Sequence, residues 1–215
     1  MKLILPKLHL LALKDAKANE DDFRQYIHVI NKHAVVQNGL CVVVDLREYI
    51  KKECDTEDDL DFSELDQIID WMDGKSFKAD FWKELTSMNF VSLYKEGLKI
   101  ENIHFNKLLE YEDIPRDIQN LIENLRIGLK RIPNYTDRVA VYGSHVDKLN
   151  SIFKKEVKND CFLFDFCGKE YSIKFQVQKQ PHIFGLLPVD YNASCEITAF
   201  LDVIDFGKSL TEENY

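Results

Sequence analysis

Glycine and proline are scarce in this 215-residue chain, at 8 and 5 residues, which excludes a collagen-like or low-complexity polymer. Long apolar runs are missing too. In the opening MKLILPKLHLLALKDA, Pro6, Lys7 and His9 break the apolar stretch and leave only Leu10–Leu13 uninterrupted. That is too short for a bilayer span or a signal core, so no membrane is expected and Leu3–Leu13 reads as a strand. Cysteine is present only as an odd five, with no C-x-x-C pair, so neither a zinc ribbon nor a thioredoxin-like centre is encoded. Reduced thiols in a cytoplasmic protein are the expectation. A positive balance is lacking as well. The net charge of −9 disfavours binding of the whole surface to DNA or anionic lipid, while leaving room for a locally basic groove.

What is present is a foldable mixture, 45% hydrophobic and 30% charged. Two regions differ in charge. Residues 1–112 carry 15 basic and 22 acidic side chains; residues 113–215 carry 13 and 15. Asp113-Ile114-Pro115 closes a strand-like run and opens a helix-like one, so a domain boundary is expected there. The first domain includes an acidic insert, 51–78, whose Glu53–Asp66 stretch has eight carboxylates and no base and reads as a solvated loop.

The spacing predicts a helix over Glu20–Lys32, with Phe23, Tyr26, Ile27 and Ile30 on one face. Asn38-Gly39 between His33–Val36 and Leu40–Leu46 is a strong hairpin signal. Ser63 with Asp66 is expected to cap a helix reaching Met72, Gly74 to end it, and Phe81, Trp82 and Leu85 to mark another. A second hairpin is expected from Asn89–Tyr94 and Leu98–Phe105, with Lys107–Tyr111 as a further strand. Beyond the boundary the expected elements are a helix from Asp117 to Arg131, a strand Arg138–Tyr142 and a helix Ser144–Lys155. Strands Cys161–Phe166, Tyr171–Val177, His182–Val189 and Cys195–Ile204 follow. Hairpin-length links dominate. The fold class is therefore α+β, with mostly antiparallel sheets and helices on one face.

Chemical motifs fail one by one. Asp55-x-Glu57-x-Asp59 suggests a calcium loop, but Leu60 stands at the sharp-turn glycine and Asp66 at the bidentate glutamate. Gly74-Lys75-Ser76 lacks the upstream glycine of a phosphate loop, which is Ile69. Gly143-Ser144-His145 lacks the second glycine of a nucleophile elbow. No cluster has metal-ligand spacing. No catalysis, cofactor or metal is expected. One charge pattern remains: residues 116–158 hold nine bases and five acids. Arg126 and Lys130 lie off the apolar stripe of their helix, and Lys148 and Lys155 lie opposite Val146, Leu149 and Phe153 on the next. Two adjacent helices would then offer positive charge to a polyanion.

With those helices, the sequence S-H-V-D-K-L-N-S-I-F and the later H-I-F-G-L-L-P-V-D-Y resemble the last domain of a DNA sliding clamp, the polymerase processivity factor family. The Asn-Gly hairpin ending in Val43-Val44-Asp45-Leu46 is similar to the first clamp hairpin. The resemblance implies two clamp-like domains, 1–112 and 113–215, in a homo-oligomeric ring around double-stranded DNA. Arg126, Lys130, Lys148 and Lys155 would make non-specific DNA contacts on the inner face. Leu187, Pro188 and Val189 would line a pocket for the peptide of a DNA polymerase or another clamp-binding protein. The alternative is a clamp-like interaction or inhibitor protein that does not encircle DNA, or another non-catalytic binding protein.

Overall fold

The computed structural model describes residues 4–13, 22–53, 62–85, 108–110, 115–134, 141–155, 157–158, 161–168 and 171–189. Among these residues the frame is one antiparallel sheet of eight strands: β1 (Tyr26–Ile30), β2 (His33–Asn38), β3 (Leu40–Asp45), β4 (Lys75–Lys78), β5 (Leu108–Glu110), β6 (Phe162–Asp165), β7 (Ile173–Val177) and β8 (Gln180–Leu187). They lie in the order β5-β4-β1-β2-β3-β8-β7-β6. The α+β class and antiparallel pairing are those read from the sequence. The sheet itself runs without a break from the first half of the chain to the second, because β3 pairs β8 through Cys41↔Leu186 to Val44↔Ile183.

Two expectations near the N-terminus are corrected. Leu3–Leu13 is not a strand over its described part; it carries a single 3-10 turn, Leu8–Leu10. The indole N–H of Trp82 donates to the Pro6 carbonyl at 2.8 Å and pins this segment to the core. The helix expected over Glu20–Lys32 is, where described, a short 3-10 turn, Phe23–Gln25, followed by strand β1. Tyr26, Ile27, His28 and Val29 are all buried. A central strand needs apolar residues on both faces, and such a run also matches part of a helical pattern. Asn31 and Lys32, with φ of 50° and 65°, then make the two-residue left-handed turn that pairs Ile30 with His33.

The helices are α1 (Leu46–Glu53), α2 (Phe62–Met72), α3 (Ala79–Leu85), α4 (Arg116–Lys130) and α5 (Gly143–Ile152). α2, α3 and α4 fall where the apolar spacing put them. Gly74, at φ +76°, follows α2 as expected of a glycine at a helix end. Other details differ. α1 was unforeseen, and it is capped by Asp45, whose Oδ1 accepts from the amides of Arg47 and Glu48. Asp66 lies within α2 and holds the Arg47 guanidinium at 2.6 and 3.1 Å, tying α1 to α2. Ser144 lies inside α5 and does not cap it; the N-cap is Tyr142, with no side-chain bond. Val141 and Tyr142 are not in a strand. The expected strand 138–142 is otherwise outside the described residues, as are 89–105, 195–204 and most of the acidic loop.

Strand alternation gives the sheet two unlike faces. Val29, Val36, Val42, Val44, Ile183, Ile173 and Phe175 join Leu8, Ile50, Leu65, Met72, Trp82, Leu149, Ile152 and Phe153 in the main core. Thus α1, α2, α3 and α5 seal that face. Val35, Cys41 and Val43 point the other way and, among the described residues, meet Leu121 and Leu125 of α4, with Phe23, Phe184 and Leu186 beside them. The helices therefore occupy both faces and not the one face expected, and among the described residues α4 is the α-helix on the second.

Candidate functional site

The four bases expected to share one wall are divided by the sheet. Arg126 and Lys130 are exposed on α4, and Arg126 is 3.0 Å from Glu123 one turn earlier. Lys148 lies half-buried on α5, whose Leu149 and Ile152 belong to the core on the opposite face. Lys155 follows that helix and sits 2.5 Å from Glu53 Oε2 at the end of α1. The expectation of two adjacent basic helices is corrected by this arrangement. An apolar stripe tells which side of a helix is buried and not which face of a sheet it covers.

The expected peptide pocket is also redistributed. Leu187 is fully buried in the main core, and Val189 packs against that core half-buried. Pro188, next to them, lines a cleft on the opposite face, and neither of them lines it. The period of two along β8 explains this, since neighbours on a strand serve opposite sides.

That cleft is one of several on the half-covered face, and it is the one that Pro188 lines. Its volume is about 380 Å³, and it lies between one side of α4 and the end of β8. From α4 come Asn124, Leu125, Ile127 and Gly128, with Arg131 directly after its last residue; the sheet supplies Gln37, Cys41 and Leu186; Tyr171 and Pro188 complete the lining. A helix brings these α4 residues to one side because 124, 127 or 128, and 131 are one turn apart. Gly128 is what lets the helix come so close. A Cβ there would stand 2.5 Å from Leu186 Cδ1.

The guanidinium of Arg131 lies 3.6 Å from the centre of the Tyr171 ring, in stacking range for a cation on an aromatic face. Its backbone is fixed as well. The Arg131 amide donates to Gly128 O at 3.3 Å, and Lys174 Nζ donates to the Arg131 carbonyl at 3.1 Å. Ile127 and Tyr171 remain 46% and 39% exposed at the rim. None of the described residues lining this cleft is a carboxylate. Cys41 at the floor is no nucleophile, because burial pushes its thiol up to about 12. Tyr171 and Ile127 were not singled out from the sequence, and Arg131, one of the bases off the apolar face of its helix, was not among the four chosen as DNA contacts. The signal available was Ile127, an apolar side chain off the Ile118-Leu121-Leu125 stripe.

A second arrangement invites a catalytic reading and does not sustain it. His28 Nδ1 is 2.6 Å from Ser76 Oγ, and Nε2 is 3.0 Å from the Phe23 carbonyl. A carbonyl only accepts, so Nε2 carries the proton and Ser76 donates to Nδ1. Both side chains are about 1% exposed. Desolvation lowers the His28 pKa to about 4, leaving a weak base whose two ring nitrogens are engaged in tying β1 to β4. Among the described residues, no group of His, Cys, Asp and Glu could hold a metal ion. No helix among them is long and apolar enough to cross a membrane.

Compared with protein-family models, with curated proteins and with solved structures, the chain matches none. The functional reading rests on its own geometry.

Proposed function

We propose that this protein is a non-catalytic interaction protein that binds a partner through the sheet face crossed by α4, and that it does not encircle DNA. This is the second of the two readings the sequence offers. The observation that carries it is the separation of the bases by the sheet. Arg126 and Lys130 stand on one side, while Lys148 and the Glu53-paired Lys155 belong to the other. A ring that slides on DNA needs its cations on one continuous wall, because each phosphate contact adds to the same salt-dependent term. The face crossed by α4 offers instead an open cleft with aromatic, aliphatic and arginine side chains, the composition that enriches protein interfaces. The cytoplasm is the proposed compartment, in keeping with the free thiols of Cys41, Cys161 and Cys167.

The test is retention on nicked circular against linear DNA between 50 and 200 mM salt, values chosen from the range over which phosphate contacts are lost. Wild type and a variant with Glu at positions 126, 130, 148 and 155 are expected to behave alike, with no advantage for circles. Retention on circles alone, abolished in that variant, would return the sliding-clamp reading to first place.

A further inference from the structure

We propose that the cleft between α4 and β8 is an anchor socket for a peptide segment in which an apolar side chain stands beside a carboxylate. The proposal rests on the reading of the protein as an interaction protein and names the class of its partner. The floor is apolar, from Leu125 and Leu186. At the rim Arg131 is the one charged side chain among the lining residues, and none of them is acidic. In a chain of net charge −9, this is a place where an anionic partner meets a cation, with no carboxylate among the described residues that line it. Complementarity of that kind selects partners by repelling the anion elsewhere and holding it here.

Arg131 is also held ready. Stacking on Tyr171 at 3.6 Å and the fixed backbone leave little side-chain freedom to lose on binding, which strengthens the contact. Its planar fork suits a carboxylate better than a lysine ammonium would. Asn124 and Gln37, also at the cleft, provide amides for the backbone of an extended segment. A volume of about 380 Å³ lies near the low end of ligand pockets and suits an anchor side chain and its neighbour.

The experiment is selection of a random displayed peptide library against the immobilised full chain. Synthetic copies of the enriched peptides are then titrated against wild type and variants. Enriched sequences should place an apolar residue within about two positions of Asp, Glu or a C-terminal carboxylate. Arg131→Glu should weaken them about tenfold or more, and Ile127→Asp similarly. Lys52→Glu, away from the cleft, should keep wild-type affinity. Thermal melts confirm that Arg131→Glu still folds, and Arg131→Gln gives an intermediate loss without a new charge. Failure to enrich any peptide overturns the proposal. So do peptides without acidic preference, or peptides indifferent to Arg131→Glu. A wild-type dimer in sedimentation that Arg131→Glu converts to monomer would place a second copy in the cleft and overturn it too. Retention on circular DNA depends on other residues, so failure of the interaction reading is seen separately.

Discussion

His28 illustrates how a single side chain can set the acid limit of the fold. Its imidazole is 1% exposed, bonded to Ser76 and to the Phe23 carbonyl, and burial lowers its pKa from 6.5 to about 4. The depressed value fixes the sign: neutral His28 favours the folded state fully above pH 6.5, and this contribution is lost as pH falls towards 4. At about 1.4 kcal/mol per unit, the loss amounts to about 3 kcal/mol. Urea unfolding at pH 7.5 and 4.5 should show it. His28→Gln is expected to be less stable than wild type at pH 7.5 and to lose less on acidification; equal acid losses would remove His28 as the cause. Cys41 gives a second expectation at this scale. With its thiol pushed to about 12, native labelling at neutral pH should reach exposed Cys161 and be unchanged by Cys41→Ala.

Among elements, the critical contacts are where α4 meets β8 and where β8 meets β3; a glycine sits at each, and only the second is irreplaceable. At Gly185 a Cβ would stand 2.0 Å from the Cys41 carbonyl oxygen and 2.7 Å from the Phe175 ring. Backbone cannot yield locally, so Gly185→Ala forces β8 away from β3. Overpacking of this kind costs about 1–3 kcal/mol or more. Gly128 is the contrast. The neighbour at 2.5 Å is the terminal Cδ1 of Leu186, which can turn aside. In the last turn of α4, alanine gains at most about 1 kcal/mol over glycine. Gly128→Ala should therefore stay within about 1 kcal/mol of wild type while narrowing the socket. Urea midpoints of the two variants check the pair. A Gly185→Ala protein as stable as wild type would show that the β3–β8 seam is looser than described.

For the whole molecule, the sheet is both the structural frame and the partition between surfaces. One face is sealed by four helices, and its residues form the larger core; the other carries α4 and the cleft. A ring of clamp-like subunits requires self-association, whereas an interaction protein that meets its partner at the cleft does not. Sedimentation at micromolar concentration is expected to give the 25.2 kDa monomer. A closed trimer would restore the ring, since symmetric self-association is what two-domain clamp subunits need.

Local pattern was enough where one face of an element is buried and the other wet. The stripe Ile118-Leu121-Leu125 on α4, the hairpin about Gly39 and the alternation of β7 were all legible, because period and turn chemistry act over a few residues. Pattern misled at β1, where burial on both faces imitates a helix, and at α1, whose cap Asp45 ends a strand in the same stroke. It could not say on which side of the sheet α4 and α5 would pack. That depends on pairing β3 with β8, some 140 residues apart in the chain. The same long-range pairing placed Leu187 in the core and Pro188 at the cleft, and brought Arg131 to Tyr171. The sequence by itself determined the class of the fold and those elements with one buried face or a marked turn, such as α4, β7 and the hairpin about Gly39. Only the tertiary structure decided which side chains share a surface, because strand pairing across the chain sets the two faces and the sheet then keeps them apart.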